Sequence, residues 1–261
     1  MKLMKNLKLM GSSAKLEMMD RLSEPFPFIF VLFSVLLRFA VVIIFFEAVY
    51  LQVDTLGGWD INQVYILLGT YFFIDAFSWA SYIRGLHHLP RYIEFGDLDI
   101  FMTKPINVKA FIAYRKIDVI FSIPQFATAI GIIIYGILNS QQSINILFYL
   151  FVLLCGIIIH FSLTSIIYAI SFYKIIRQSI YLHTELQELG QYPISIYKGA
   201  IKWILSIIVP VAIIYSFPAK AMYNDLALWE FLLIILVTIA FYFFSKIFWN
   251  AGIKRYESAK G

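Results

Sequence analysis

The chain has 261 residues, of which 61% are hydrophobic and 14% charged, with a formal net charge of +5. A soluble domain carries roughly 25% charged residues and has too little interior to hide this much apolar surface, so the composition excludes an ordinary soluble fold. The basic residues lie between apolar stretches, which argues against nucleic-acid binding, and the single cysteine, Cys155, excludes an intrachain disulfide.

The segment before the first apolar stretch, residues 1–25, mixes Leu and Met with Lys, Asp, Glu and Arg. This mixture predicts an amphipathic helix that lies in the membrane interface on the cytoplasmic side. The alternative is an unstructured tail with scattered apolar residues.

Six apolar stretches follow. A spanning helix needs roughly 20 mostly apolar residues, so we interpret each stretch as a candidate transmembrane helix. They occupy residues 26–50, 61–83, 111–138, 144–173, 203–217 and 228–249. The fifth is short, Pro210 interrupts it, and Pro218 follows. Because proline removes a backbone donor, and broken helices at membrane depth need protein or water around them, we predict that the outer end of this fifth spanning helix turns back as a short re-entrant or interfacial piece.

Lys and Arg alternate between the connections, and cytoplasmic loops are the ones enriched in both. Four or five occur in residues 1–25, 84–110, 174–202 and 246–261, and one or none in 49–60, 138–143 and 218–228. The pattern predicts an all-α, multi-pass protein of the cell membrane with about six spans and both termini cytoplasmic. The predicted parts are a cytoplasmic segment 1–25, one transmembrane domain 26–249 with a cytoplasmic loop 84–110, and a tail 250–261.

Charged residues lie within or near the predicted spans. Each costs at least about 2.5–3.5 kcal/mol at the bilayer centre, so such residues usually face the bundle interior. With a rise of 1.5 Å per residue, Arg38 and Asp75 lie about 18 Å and about 12 Å from the inner ends of their helices. We predict that they form an ion pair; the alternative is a charge that contacts substrate. Asp118 is expected to pair with Arg115 or Lys116, and Glu47 to lie near the outer interface.

Motifs for chemistry are scarce. The sequence has no G-x-x-x-x-G-K-[ST] phosphate loop, so we do not expect the chain to hydrolyse a nucleotide. His87, His88 and Glu94 are the nearest approach to a metal site, but adjacent helical residues point about 100° apart, which favours a polar surface loop and no metal. His160 lies near Ser162 and Ser165 without an evident oriented base, and we predict that it bonds a neighbouring helix.

The loop between the second and third stretches reads L-P-R-Y-I-E-F-G-D-L-D-I-F-M-T-K-P-I from Leu89. Gly96 permits a tight turn and Asp97 is suited to cap a short helix, which Pro105 ends. The apolar cluster in that helix comprises Leu98, Ile100, Phe101 and Met102. In a cytoplasmic loop such a cluster requires a covering partner; the alternative is a lipid-facing interfacial helix.

This loop resembles the G-D-L-D…K/R-P signature of a bacterial ABC-2 permease family. The resemblance extends to residues 68–71, Trp79, 192–197, 208–210 and 217–219, in the order and approximate spacing of that family. It implies an ABC-2 exporter fold. It also implies a coupling element for an ATPase, formed by Glu94, Gly96, Asp97, Leu98, Asp99, Lys104 and Pro105.

The resemblance further implies two paired permease subunits, identical or related, embedded in lipid, and two ATPase subunits that bind ATP and Mg on the cytoplasmic side. This chain would hold no cofactor, residues 1–25 would be the interface helix, and residues 210–222 an extracellular re-entrant element. The implied activity is export of a substrate that the sequence does not identify. The alternatives are a secondary transporter or channel without an ATPase, which an inverted repeat would favour, and an intramembrane enzyme.

Overall fold

The structure, a computed structural model, describes residues 11, 12, 15, 19, 25–174 and 179–256, and over these it is helical without a β-strand. In chain order the helices are α1 (Pro25–Tyr50), α2 (Ile61–Ser81), α3 (Ile83–His87), α4 (Leu89–Glu94), α5 (Asp97–Met102), α6 (Val108–Arg115), α7 (Val119–Asn139), α8 (Ile146–Ala169), α9 (Ser179–Glu188), α10 (Gly199–Trp203), α11 (Phe217–Met222) and α12 (Leu228–Arg255). The interface helix predicted in residues 1–25 lies outside the described residues except at isolated positions, and the end of the predicted tail, 257–261, lies outside them too.

Five helices are long and apolar enough to cross a membrane: α1, α2, α7, α8 and α12. A sixth candidate is a bent pair, Gly199–Ile208 and Ala212–Met222, whose halves meet at 74°. The first, second, fourth and sixth predicted stretches agree with the structure to within a few residues. The sixth continues further than predicted, because α12 runs through Arg255 and takes up the start of the predicted tail.

The third predicted stretch is two helices. α6 ends at Arg115 and α7 begins at Val119, with Asp118 between them in a non-helical conformation. The Asp118 carboxylate accepts a hydrogen bond from the backbone amide of Phe121, which caps α7. It also lies 3.5 Å from the Arg84 guanidinium, a partner from α3 that the sequence did not suggest. A polar cap therefore marks the point where the chain enters the bundle.

The centre of the bundle is α2, most of whose side chains are buried. It packs closely on α7 because glycines remove side chains at the contact. A Cβ on Gly69 would lie 3.0 Å from the Ala129 carbonyl oxygen, and one on Gly136 would lie 2.9 Å from the Asn62 carbonyl oxygen. α1 and α12, by contrast, expose many large apolar side chains, as helices that face lipid or another subunit do.

The two ends of the bundle are distinguished by their contacts. We call one the G-D-L-D end; there α3–α6 pack with Tyr168 and Phe172 of α8 and its 3₁₀ extension and with Trp249 of α12. We call the other the Trp59 end; there the 51–60 connection meets the starts of α8 and α12, where the Phe148 and Phe231 rings are 5.7 Å apart. Helices α8 and α12 therefore both run from the Trp59 end to the G-D-L-D end, antiparallel to α1 and α7. One further crossing in the opposite direction is needed between α8 and α12.

The most important difference from the sequence prediction concerns residues 174–202, which were expected to form one cytoplasmic loop. α9 begins beside α8 at the G-D-L-D end, where the His183 and Tyr168 rings lie 6.3 Å apart. Gln187 then hydrogen-bonds Asp75, and Gln191, one turn later, hydrogen-bonds Tyr71, which lies one turn earlier in α2. The prediction of a single loop is wrong: this segment runs through the bundle, antiparallel to α2.

The far end of this segment lies at the Trp59 end. The Ser195 Oγ would be 2.5 Å from a Cβ on Gly57, and Tyr192 packs 5.9 Å from Phe46, centroid to centroid, near the end of α1. Residues 179–197 therefore cross the bundle from one end to the other, and they are less apolar than the five long helices. Polar side chains lower the hydropathy of this segment, so hydropathy did not identify it as a crossing. Those side chains are accommodated because they hydrogen-bond partners inside the bundle.

The bent pair that follows begins and ends at the Trp59 end, so the prediction that residues 203–217 form the fifth spanning helix is wrong. Its first half starts just after Ser195, and its second half ends where the Met222 carbonyl accepts a hydrogen bond of 2.7 Å from the Asn145 amide, at the start of α8. The break falls at Val209–Val211, around the buried Pro210. Pro218, in contrast, does not break the second half, because the π-helix Ala212–Ser216 runs directly into α11.

Candidate functional site

The most densely bonded polar group inside the bundle is the carboxylate of Asp75, which is 2% exposed. Its Oδ2 accepts hydrogen bonds from Arg38 Nη1 at 3.0 Å and Gln125 Nε2 at 2.6 Å, and its Oδ1 accepts one from Gln187 Nε2 at 2.8 Å. The predicted ion pair between Arg38 and Asp75 is present. It is one part of a larger arrangement that joins four crossings: α1, α2, α7 and the 179–197 segment.

Arg38 extends this arrangement through Tyr71. Its Nη2 donates to Tyr71 Oη at 2.9 Å, and the same hydroxyl accepts from Gln191 Nε2 at 3.2 Å. We call Arg38, Tyr71, Asp75, Gln125, Gln187 and Gln191 the Asp75 hub. A buried charge is tolerated when it is paired and its remaining lone pairs are bonded, and the hub meets both conditions for Asp75.

The two charges of the hub differ in exposure. The Asp75 side chain is 3% exposed and the Arg38 side chain 39%. Beside Arg38 lies a cavity of about 170 Å³ that Ser34, Phe39, Phe121 and Gln125 help to line. The hub therefore opens toward one side of the bundle through the arginine, while the carboxylate stays enclosed.

A second polar cluster ties the start of the 179–197 segment to α8. His160 Nδ1 lies 2.7 Å from Tyr82 Oη, which confirms that this histidine bonds a neighbouring element. Thr164 Oγ1 donates to the His160 carbonyl at 2.7 Å and lies 3.0 Å from His183 Nε2. Because these groups hydrogen-bond one another, we interpret the cluster as a structural contact between α8 and the 179–197 segment.

The G-D-L-D turn is built around Gly96, whose φ of 72° is left-handed and therefore suits glycine. Asp97 was predicted to cap this helix. The structure instead places Gly96 at the N-cap position and Asp97 as the first residue of α5. Asp97 still lies at the helix start, where the exposed amide groups favour a negative charge. The helix ends at Met102, before Pro105 is reached.

The predicted apolar cluster in α5 divides into two faces. Leu98 and Phe101 are buried against α4 and α6, together with Tyr92, Ile93 and Ile112. Ile100 and Met102 are exposed, at 52% and 42%, and Phe95 before the turn is 56% exposed. We call Phe95, Ile100 and Met102 the exposed ridge. The inner face explains why this short helix is held in place, and the ridge leaves an apolar surface uncovered.

Next to the ridge is a cleft of about 480 Å³ between α4, α5 and α6, where Asp97 is accompanied by four basic side chains: Arg91, Lys104, Arg115 and Lys116. Arg115 lies over the Phe101 ring at 5.0 Å, and Lys104 over the Phe111 ring at 5.8 Å. His88 joins the lining, and burial, with Lys116 nearby, lowers its pKa to about 4. The imidazole is thus neutral near pH 7, and its Nε2 accepts from Lys116 Nζ at 3.3 Å.

The remaining residues predicted for this site lie on the same platform. Glu94 ends α4 and Asp99 lies in α5, both half-buried, whereas Lys104 and Pro105 follow the helix and are exposed. Glu47, expected to be near the interface, accepts a hydrogen bond from Tyr65 at the Trp59 end. In the described part of the chain no three potential metal ligands are grouped to hold an ion.

Sequence reasoning missed Gln125, Gln187, Gln191 and Tyr71 as partners of the ion pair. One signal was available: residues 178–197 contain no Lys or Arg, although they were assigned to a basic loop. A run of about 20 residues without basic side chains has the length of a crossing. The partners themselves have no local signature, since they meet only through the packing of separate crossings.

Comparison with known families decides the assignment. A family model described as "ABC-2 family transporter protein" matches residues 36–260, most of the chain. The chain belongs to the ABC-2 transporter family. No curated protein and no solved structure matches it. Family and helices together make it a multi-pass membrane component of a transporter, and the family is not itself catalytic.

Proposed function

We propose that this ABC-2 protein is the permease subunit of an ABC exporter, driven by ATP that a separate ATPase subunit hydrolyses. The observation that carries the proposal is the exposed ridge: an apolar surface on a short, firmly packed helix at the end of the bundle where basic residues gather. An apolar patch of this kind outside the membrane needs a protein to cover it. The ATPase would bind there and would hold the ATP and Mg, leaving this chain without a cofactor.

The packing of α5 offers a route for the motion. Leu98 and Phe101 transmit any displacement of the ridge to α4 and α6, and a Cβ on Gly85 would meet the Ala113 backbone, so α3 and α6 move together. α3 follows α2 after one residue, and α2 carries Asp75. Closure of an ATPase dimer would thus bias the bundle between two states through contacts that differ between them.

The Asp75 hub is the element that we expect such a motion to rearrange. It connects four crossings through hydrogen bonds that can be exchanged, and Arg38 faces a cavity on one side. Two copies of the chain, or this chain and a related one, would place their substrate path between them. In this arrangement the substrate leaves the cell through the membrane in which both copies are embedded.

The test uses the ridge. Ile100→Asp places a charge on the surface that the ATPase would cover, and we expect at least a ten-fold loss of the co-purified ATPase and of ATP-dependent transport. Val53→Asp is the matched control: Val53 is similarly exposed, at 41%, but lies at the Trp59 end. Unchanged co-purification in Ile100→Asp would remove the ridge as the docking surface. Substrate transport that persists with an ATPase unable to hydrolyse ATP would favour a secondary transporter.

A further inference from the structure

A second cavity, of about 400 Å³, lies at the Trp59 end, far from the ridge. It is enclosed by the bent pair, the start of α12 and the end of the 179–197 segment. Its lining consists of Trp59, Ile194, Ser195, Lys202, Trp203, Ser206, Phe217, Lys220, Trp229, Glu230 and Leu233. A volume of this size is in the range of small-molecule sites, and nothing in the proposed coupling mechanism uses it.

The charges of the lining do not cancel. Lys220 Nζ lies 2.7 Å from Glu230 Oε1, and Glu230 Oε2 also accepts the Ala227 amide, so these two charges are satisfied by one another. Lys202 is exposed and forms no ion pair with any residue that the structure describes. The cavity therefore presents one uncompensated positive charge, which suits a ligand with a single negative charge.

Two serines, Ser195 and Ser206, also line the cavity, and neither hydroxyl is available to a ligand. The Ser195 Oγ is buried and has no hydrogen-bond partner among the described residues. This oxygen is enclosed beside Gly57, so a ligand in the cavity does not reach it. The Ser206 hydroxyl is already engaged, because it donates to the Lys202 carbonyl at 2.7 Å.

The surroundings of the opening indicate where such a ligand comes from. Trp203 and Trp229 are 60% and 57% exposed, and indole rings favour the headgroup level of a bilayer. Below them along α12, Leu232 and Leu236 are exposed, as is Ile208 of the bent pair. An apolar track thus leads from a cationic, aromatic cavity toward the bilayer core, which matches a headgroup joined to acyl chains.

We propose that this cavity binds the phosphodiester headgroup of an anionic phospholipid from the leaflet opposite the G-D-L-D end. Lys202 pairs with the phosphodiester, and Trp203 and Trp229 flank the glycerol region. Basic pockets between transmembrane helices are a known setting for lipid headgroups. This site is independent of the proposed ATPase contact.

The test is native mass spectrometry of the purified chain, titrated with phosphatidylglycerol or with phosphatidylcholine. One lysine near an anionic headgroup favours binding about five-fold, so we expect that preference for phosphatidylglycerol in the unmodified chain and none in Lys202→Gln. Lys198→Gln is the matched control, since Lys198 is exposed on the same connection but does not line the cavity. Leu233→Trp, which fills the cavity and keeps every charge, is a second variant expected to lower binding.

Three results would overturn the proposal. One is an unchanged preference in Lys202→Gln, which would remove the lysine from recognition. Another is an equal loss in Lys198→Gln, which would show a general charge effect. The third is full retention of phosphatidylglycerol in Leu233→Trp, which would place the lipid outside the cavity.

Discussion

At the scale of single residues, the ion pair of Arg38 and Asp75 is asymmetric, and this predicts unequal costs. Arg38→Gln leaves an enclosed carboxylate without its countercharge, and we expect it to lower the free energy of unfolding by about 3–5 kcal/mol, as when a buried pair is broken. Asp75→Asn leaves a guanidinium that is 39% exposed and can reach polar surroundings, so its cost is expected to be smaller. Unfolding in mixed detergent micelles measures both.

The double variant Arg38→Gln with Asp75→Asn tests whether the charges are coupled, and its cost should be less than the sum of the single costs. Ser34→Ala is the control. Ser34 lies one turn earlier on α1 and bonds only the Val31 carbonyl in its own helix. An Asp75→Asn cost equal to or above that of Arg38→Gln would show that the hub is not held by charge.

At the scale of helices, the absence of a side chain at Gly69 lets α2 and α7 approach closely at that point. Gly69→Val would push against Ile133 and the Ala129 carbonyl, and backbone cannot move aside as a flexible side chain does. We expect a loss of about 1–3 kcal/mol in unfolding free energy, as for overpacked cores. Gly131→Val is the control on α7, since its Cβ would meet nothing within 4 Å. Equal losses at both sites would indicate a propensity effect instead of a close helix contact.

At the scale of the whole molecule, the crossing by residues 179–197 fixes which connections share a side of the membrane. Single cysteines at positions 97 and 198, made in a chain with Cys155→Ala, should react with an impermeant reagent from opposite sides. A cysteine at position 53 should react from the same side as position 198, because both lie at the Trp59 end. Labelling of positions 97 and 198 from the same side would show that residues 179–197 do not cross the membrane. It would contradict both the six-crossing arrangement and the Asp75 hub.

The apolar stretches and the basic connections predicted the long helices well, because a lipid-facing helix must itself carry the apolar surface that the bilayer demands. The Arg38–Asp75 pair was also predictable, since depth along two straight helices follows from residue number. The G-D-L-D helix was placed correctly, but its two faces were not. Which of Leu98, Ile100, Phe101 and Met102 points inward depends on how α4 and α6 lie against α5.

Taken alone, then, the sequence determined the membrane class, the long helices, the family signature and the ion pair at its core. Only the tertiary structure decided that residues 179–197 cross the bundle and that the chain after them turns back around Pro210. The reason is that hydropathy measures the transfer of an isolated segment into lipid. Gln187 and Gln191 are accommodated inside the bundle because they hydrogen-bond Asp75 and Tyr71 of α2. Those hydrogen bonds form only when the other crossings are packed around them.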